Sequence, residues 1–127
     1  MSSSHGTMFP GLRYSDATTA IEWLCNTLGF KKLLVVPDEK GTIVHAQLSL
    51  GTGIIMIGSE SNNEYGLHVR PPYKLENINT QSPYIYIENI EAHYNHTKSS
   101  GADIVIELRE EEYGGKHYLV RDPEGHL

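Results

Sequence analysis

The sequence predicts an α+β fold made of two tandem βαβββ modules, with the second module's last strand missing from the 127 residues. Three observations predict it. A strand–helix–strand–strand pattern occurs twice, in residues 8–58 and again in 83–127. Each helical stretch stops at a glycine, Gly29 and Gly101, in equivalent places. Between the copies, 59–82 is polar and contains Pro71-Pro72, so it reads as a linker.

Each element has a local reason. Residues 1–7 read as a disordered leader, and Met8 to Tyr14 as a first strand. Ser15 or Asp16 can cap a helix in which Ala17, Ala20, Ile21, Leu24, Cys25 and Leu28 recur on one face. Gly29 supplies the left-handed stop. Three strand-like runs follow, "KKLLVVP", "TIVHAQLSL" and "GIIMIG", separated by turn residues at Asp38 to Gly41 and Gly51 to Gly53. In the second copy, Pro83 to Glu88 reads as a strand, Asn89 as a cap, and Ile90, Tyr94 and Thr97 as a sparse helix face. Strands at Ile104 to Leu108 and Lys116 to Arg121 flank the loop "REEEYGG", which is a solvated acidic hairpin or, as the sharper alternative, a lid. Asp122-Pro123-Glu124-Gly125 is a turn after which His126 should open one more strand. Either native residues continue beyond Leu127, which is the expectation, or a partner completes the sheet.

Bulk properties bound the function. Hydrophobic content of 39% and charged content of 20% are ordinary for a globular chain, and no run approaches the roughly 18 apolar residues of a membrane helix. A net charge of −6 argues against nucleic acid, whose phosphates would be repelled. A single Cys25 and no signal-peptide pattern suit the cytoplasm. Neither nucleic acid nor membrane is expected as a partner.

Strand alternation nominates a binding surface. Val44, Ala46, Leu48 and Leu50 form an apolar set that should pack on the first helix, leaving Ile43, His45, Gln47 and Ser49 on the opposite, concave face. In the same way Ile85 and Ile87 should face a helix, leaving Ser82, Tyr84 and Tyr86 concave. Phe9, Gly11, Arg13, Ile54 and Met56 complete the face. A lining of aromatic, thioether and neutral hydrogen-bonding groups suits an organic molecule with a planar part. The blander reading is a wet dimer interface in which His45 and Gln47 satisfy each other. His45 acting as a metal-free general base is a further, weaker option, since no acidic residue of matching parity would orient it.

The double βαβββ plan, with "LRYSDATTAIEWLCNTLGF", "HAQLSLGTGIIMIGS", "NTQSPYIYIENIEAHY" and "YGGKHYLVRDPEGHL", resembles the vicinal-oxygen-chelate superfamily of glyoxalases, bleomycin-resistance proteins and dioxygenases. In enzymes of that superfamily, His, Gln or Glu from the first and fourth strands of each module hold a divalent metal. The resemblance carries three of those positions to Phe9, Met56 and Ser82, and a fourth beyond Leu127. Aromatic, thioether and lone hydroxyl groups are poor ligands for such an ion. A slip of one residue turns the neighbouring side chains to the other face, and Glu60 lies two pleats on, at the rim. His93 and His96, at i, i+3 on one helix, read as solvated rather than as a zinc pair.

The expectation is therefore a binding protein without metal, cofactor or catalytic residue, similar to the bleomycin-resistance branch, acting as a homodimer on a small, partly aromatic molecule. Its ligand-binding residues would be Phe9, Arg13, His45, Gln47, Met56, Ser82, Tyr84 and Tyr86. The alternative is a metal-dependent lyase, isomerase or dioxygenase.

Overall fold

A computed structural model describes residues 8–127; the leader expected at 1–7, with His5, lies outside the described residues. The chain begins with β1 (Gly11–Tyr14), shorter than the strand read from the sequence. Helix α1 (Ala17–Trp23) continues as a wider π-helical turn, Leu24–Leu28. Asp16 caps it, accepting from the Thr19 amide, and Gly29 ends it at φ 91°. Strands β2 (Lys31–Pro37), β3 (Ile43–Leu50) and β4 (Gly53–Ser59) follow. They form a four-stranded sheet in the order β1-β4-β3-β2, with β1 parallel to β4 and the other pairs antiparallel.

One face of this sheet buries Tyr14, Ala46, Leu48, Ile55 and Ile57 against Ala17, Ala20, Ile21 and Leu24 of α1 and its π turn. Removing that apolar surface from water is what holds helix to sheet. Parity behaves as expected from Ala46 to Ser49 and fails upstream. Val36 pairs with His45 while Pro37 pairs with Ile43, so Val44 is an extra residue bulged out of β3. The bulge turns Ile43 into the core and leaves Val44 55% exposed, reversing both assignments made by strict alternation.

The segment 59–82 holds 3-10 turns at Gly66–His68 and Pro72–Leu75. Helix α2 (Ile90–Ser99) has Asn89 as its cap, bonded to the Ala92 amide. Strands β5 (Asp103–Glu110) and β6 (Lys116–Arg121) form a two-stranded antiparallel hairpin. The acidic loop between them is its turn, closed by the Glu111 amide to the Gly115 carbonyl.

The strand expected at Pro83 to Glu88 does not form. The segment is not part of either sheet, and Tyr84 and Tyr86 are 83% and 84% exposed. The physical reason lies in the first sheet. There β1 hydrogen-bonds only to β4, and among the described residues nothing stands in the place of β4 in the second half. Strand-forming side chains without a neighbouring strand have no ladder to join.

The two halves are joined by a polar latch at the Asp122 to Gly125 turn, in which the Gly125 amide bonds back to the Asp122 carbonyl. Glu124 Oε1 accepts from the Ser15 amide at 2.5 Å and its Oε2 from the Asp16 amide at 2.8 Å. Asp122 Oδ2 accepts from the buried Tyr14 hydroxyl at 2.5 Å, and His126 Nε2 lies 2.9 Å from the Arg13 carbonyl. The helices also touch. His93 bridges the Leu28 carbonyl (2.7 Å) and the Tyr118 hydroxyl (2.6 Å), and His96 reaches the Asn26 carbonyl (2.8 Å). Both histidines were expected to be solvated; His96 is exposed as expected while reaching that carbonyl, whereas His93 is partly buried and ties α2 to the end of the first helix. Among the described residues, no helix is long and apolar enough to cross a membrane.

Candidate functional site

On the sheet face opposite α1, β1 places Arg13 beside Gly58 of β4, its register partner. A side chain at 58 would collide with the Arg13 guanidinium, so glycine there lets the guanidinium lie flat on the strand. Arg13 donates to the Ser59 carbonyl at 3.1 Å and stacks over the Tyr65 ring, 4.7 Å from its centroid. Tyr65 is held by a tight turn in which Asn63 Oδ1 accepts from the Gly66 amide at 2.7 Å. Met56 is the next concave residue of β4 and pairs with Gln47. His45 Nε2 lies 3.3 Å from Gln47 Nε2; with the amide nitrogen donating, the ring nitrogen accepts and Nδ1 carries the proton. Arg13, His45, Met56 and Tyr65 line a pocket of about 260 Å3.

The eight nominated residues are thus only partly assembled. Arg13, His45 and Met56 share the pocket, and Gln47 joins it through His45. Ser82 and Tyr84 border a different, larger cavity, while Phe9 and Tyr86 line neither. Tyr84 and Tyr86 depart from the expected concave lining because their segment is unpaired. Sequence reasoning missed Tyr65, which sits in a polar stretch without periodicity. Its one signal is the Asn-x-x-Gly spacing of Asn63 and Gly66, a side-chain-closed turn.

The residues do not suit the superfamily's divalent ion. Phe9, Met56 and Ser82 offer no imidazole or carboxylate at the carried-over positions, and among the described residues no group of three His, Cys, Asp or Glu could hold a metal. Glu60, at the rim, is already engaged by Lys74 Nζ (2.7 Å) and the Ser15 hydroxyl (2.5 Å). Burial pushes its pKa upward, but these hydrogen bonds win and hold the carboxyl below its ordinary value. Cys25 is partly buried against the core and its thiol is pushed up by desolvation, which disfavours the nucleophilic thiolate.

His117 Nδ1 lies 2.8 Å from Glu111 Oε1 without the alignment of a hydrogen bond, and Arg109 Nε is 3.1 Å from the same oxygen. This cluster sits on the β5–β6 hairpin, away from the Arg13 pocket.

Known proteins share this architecture. A crystal structure of TioX from Micromonospora sp. ML1 is 32% identical, with a TM-score of 0.76 over 96% of this chain and 91% of that one. Lactoylglutathione lyase from Agrobacterium tumefaciens, at 14% identity and a TM-score of 0.68, covers 95% of this chain and 88% of that one, and shows the fold alone. The uncharacterized protein Rv0887c of Mycobacterium tuberculosis (strain ATCC 25618 / H37Rv) is 24% identical over 117 residues, 92% of this chain and 68% of that protein. The profile of the Glyoxalase/Bleomycin resistance protein/Dioxygenase superfamily matches residues 6–127. The sheet order, the repeated helix–strand plan and this match together make the chain a member of the Glyoxalase/Bleomycin resistance protein/Dioxygenase superfamily.

Proposed function

We propose that the chain binds a small, partly aromatic organic molecule on the concave face of its N-terminal sheet, without a metal. The observation that carries this reading is the Arg13 guanidinium laid flat over Gly58 and stacked on Tyr65, beside the His45–Gln47 pair and the Met56 thioether. A planar cation on an aromatic face offers stacking area and charge to a ring bearing an anionic or carbonyl substituent. Met56 adapts to irregular ring edges, and Gln47 supplies neutral hydrogen bonding. The division into modules 8–58 and 83–127 joined by 59–82 goes with this reading.

The test is equilibrium binding of 2-naphthoate against neutral 2-naphthalenemethanol by calorimetry. Naphthoate should bind more tightly, and Arg13→Gln or Tyr65→Ala should each weaken it about 5- to 150-fold, the scale of about 1–3 kcal/mol for a desolvated cation–π or charged hydrogen bond. Naphthoate affinity untouched by both variants sinks the proposal. Elemental analysis of protein purified without chelator tests the metal-free part; a stoichiometric transition metal refutes it.

Homodimerisation belongs to the same reading. In support, edge strand β2 leaves Leu33, Leu34, Val35 and Val36 each more than a third exposed, an apolar edge that a second copy would cover. Sedimentation showing only monomer at micromolar concentration refutes it.

A further inference from the structure

Gly11 is a glycine for which the fold has no need. Seven of the described glycines take left-handed backbone, and Gly53, Gly58 and Gly66 each have an atom within 3.4 Å of where a Cβ would stand. Gly11 has neither feature. It opens β1 in ordinary strand backbone, and a Cβ built on it meets nothing within 4 Å. Glycine in a strand costs backbone entropy and gives no packing in return. Its common uses there are a bulge, a sharp bend, or close approach of a ligand or a second backbone. β1 pairs with β4 without a register shift, so no bulge explains Gly11. Close approach remains.

The register says what stands around it. Gly11, Met56, Gln47 and Leu34 form one row across β1, β4, β3 and β2. Arg13 follows two residues on, about 7 Å along the same face of β1, beside Gly58. The two glycines share the pocket and differ in what covers them. The Arg13 guanidinium fills the space over Gly58, whereas the space over Gly11 is open beside Arg13 and Met56. None of the described residues lining this pocket is acidic. A flat ring makes van der Waals contact with bare peptide at about 3.5–4 Å, and a Cβ on that peptide would hold the ring off by a methyl group.

We propose that Gly11 is the platform on which the ligand's ring lies, and that its missing side chain selects planar fused-ring carboxylates; this rests on the reading of the pocket as a metal-free aromatic site. The ring rests on the Gly11 peptide with its edge against the Met56 thioether, and its carboxylate meets Arg13. Gly11 is thus a specificity-determining residue, retained against the strand's own preference.

The test is Gly11→Ala, measured by calorimetry with 2-naphthoate, by thermal unfolding and by sedimentation. Affinity should fall about tenfold, the scale of one methyl forced into a filled site. The melting temperature should stay the same or rise, because alanine fits this backbone and restricts the unfolded chain. Wild type should prefer 2-naphthoate over puckered trans-decahydro-2-naphthoate by about three- to tenfold, the scale of an aromatic contact, and the variant should lose that preference. Arg13→Gln separates this proposal from the pocket reading beneath it. Naphthoate binding weakened by Arg13→Gln and untouched by Gly11→Ala overturns the platform and leaves the pocket reading standing; binding untouched by both overturns the two together. A lowered melting temperature in Gly11→Ala means the fold itself needs the glycine and overturns the proposal. So does a changed oligomeric state at unchanged affinity, which assigns the close approach to a second copy of the chain.

Discussion

Replacing Glu124 by alanine tests whether the terminal turn locks the two halves together. Both carboxylate oxygens are used, on the Ser15 and Asp16 amides that open α1, and the residue is buried. Truncation removes two charge-assisted hydrogen bonds and a negative charge from a helix N-terminus. It also strands two backbone donors where water has little access. A hydrogen bond to a charged group contributes about 1.5–3 kcal/mol, and two on one carboxylate are not independent, so about 2–4 kcal/mol is expected. For a chain of this size that lowers the melting temperature by about 10 °C. The assay is urea unfolding followed by Trp23, the single tryptophan, which packs partly buried against the core. Glu124→Gln keeps one acceptor and should fall between wild type and Glu124→Ala. The latch also reaches the binding surface, because β1 carries Arg13 immediately before the Tyr14–Ser15–Asp16 run that Asp122 and Glu124 hold. The alanine variant should therefore weaken naphthoate binding at temperatures where it is still folded. A Glu124→Ala protein within 0.5 kcal/mol of wild type, a shift too small for even one such bond, refutes the latch.

Other perturbations have equally definite outcomes. Burial, then the charges of Asp122 and Glu124, hold the Tyr14 hydroxyl protonated well above its ordinary value, whereas the unfolded chain ionises near pH 10. The raised folded pKa means the stability advantage over Tyr14→Phe is complete below about pH 10 and shrinks as pH rises beyond it; an advantage that instead grows with alkaline pH contradicts this. Gly66→Ala drives a Cβ into the Ser61 backbone, whose carbonyl carbon would lie 2.7 Å away. It should cost about 1–3 kcal/mol as overpacking does and unseat Tyr65, read as lost naphthoate affinity. Tyr84→Ser and Tyr86→Ser should leave stability within about 0.5 kcal/mol, since both rings are exposed; cooperative destabilisation by either means the segment is paired in solution.

Local physics made much of this protein legible before any fold was seen. Asp16 and Asn89 announce helix starts because a side-chain oxygen satisfies an amide two or three residues on, a bond that needs nothing distant. Gly29 and Gly101 announce the stops because left-handed backbone costs glycine little. The repeat of these signals was enough to predict the α+β plan and the four strands of the first half. Tertiary structure decided the rest. Pro83 to Glu88 has the composition of a strand, but a strand exists only with a neighbour, and that neighbour's place is empty among the described residues. Alternation predicted which face Gln47 and Met56 take; the bulge at Val44, set by pairing with β2, overrode it for Ile43. Tyr65 reaches Arg13 across 52 positions of sequence, through a turn whose direction no periodicity encodes. His93 of α2 reads as solvent-facing because helix phase fixes a direction from the axis; only the packing of α2 on the end of the first helix determines what stands in that direction.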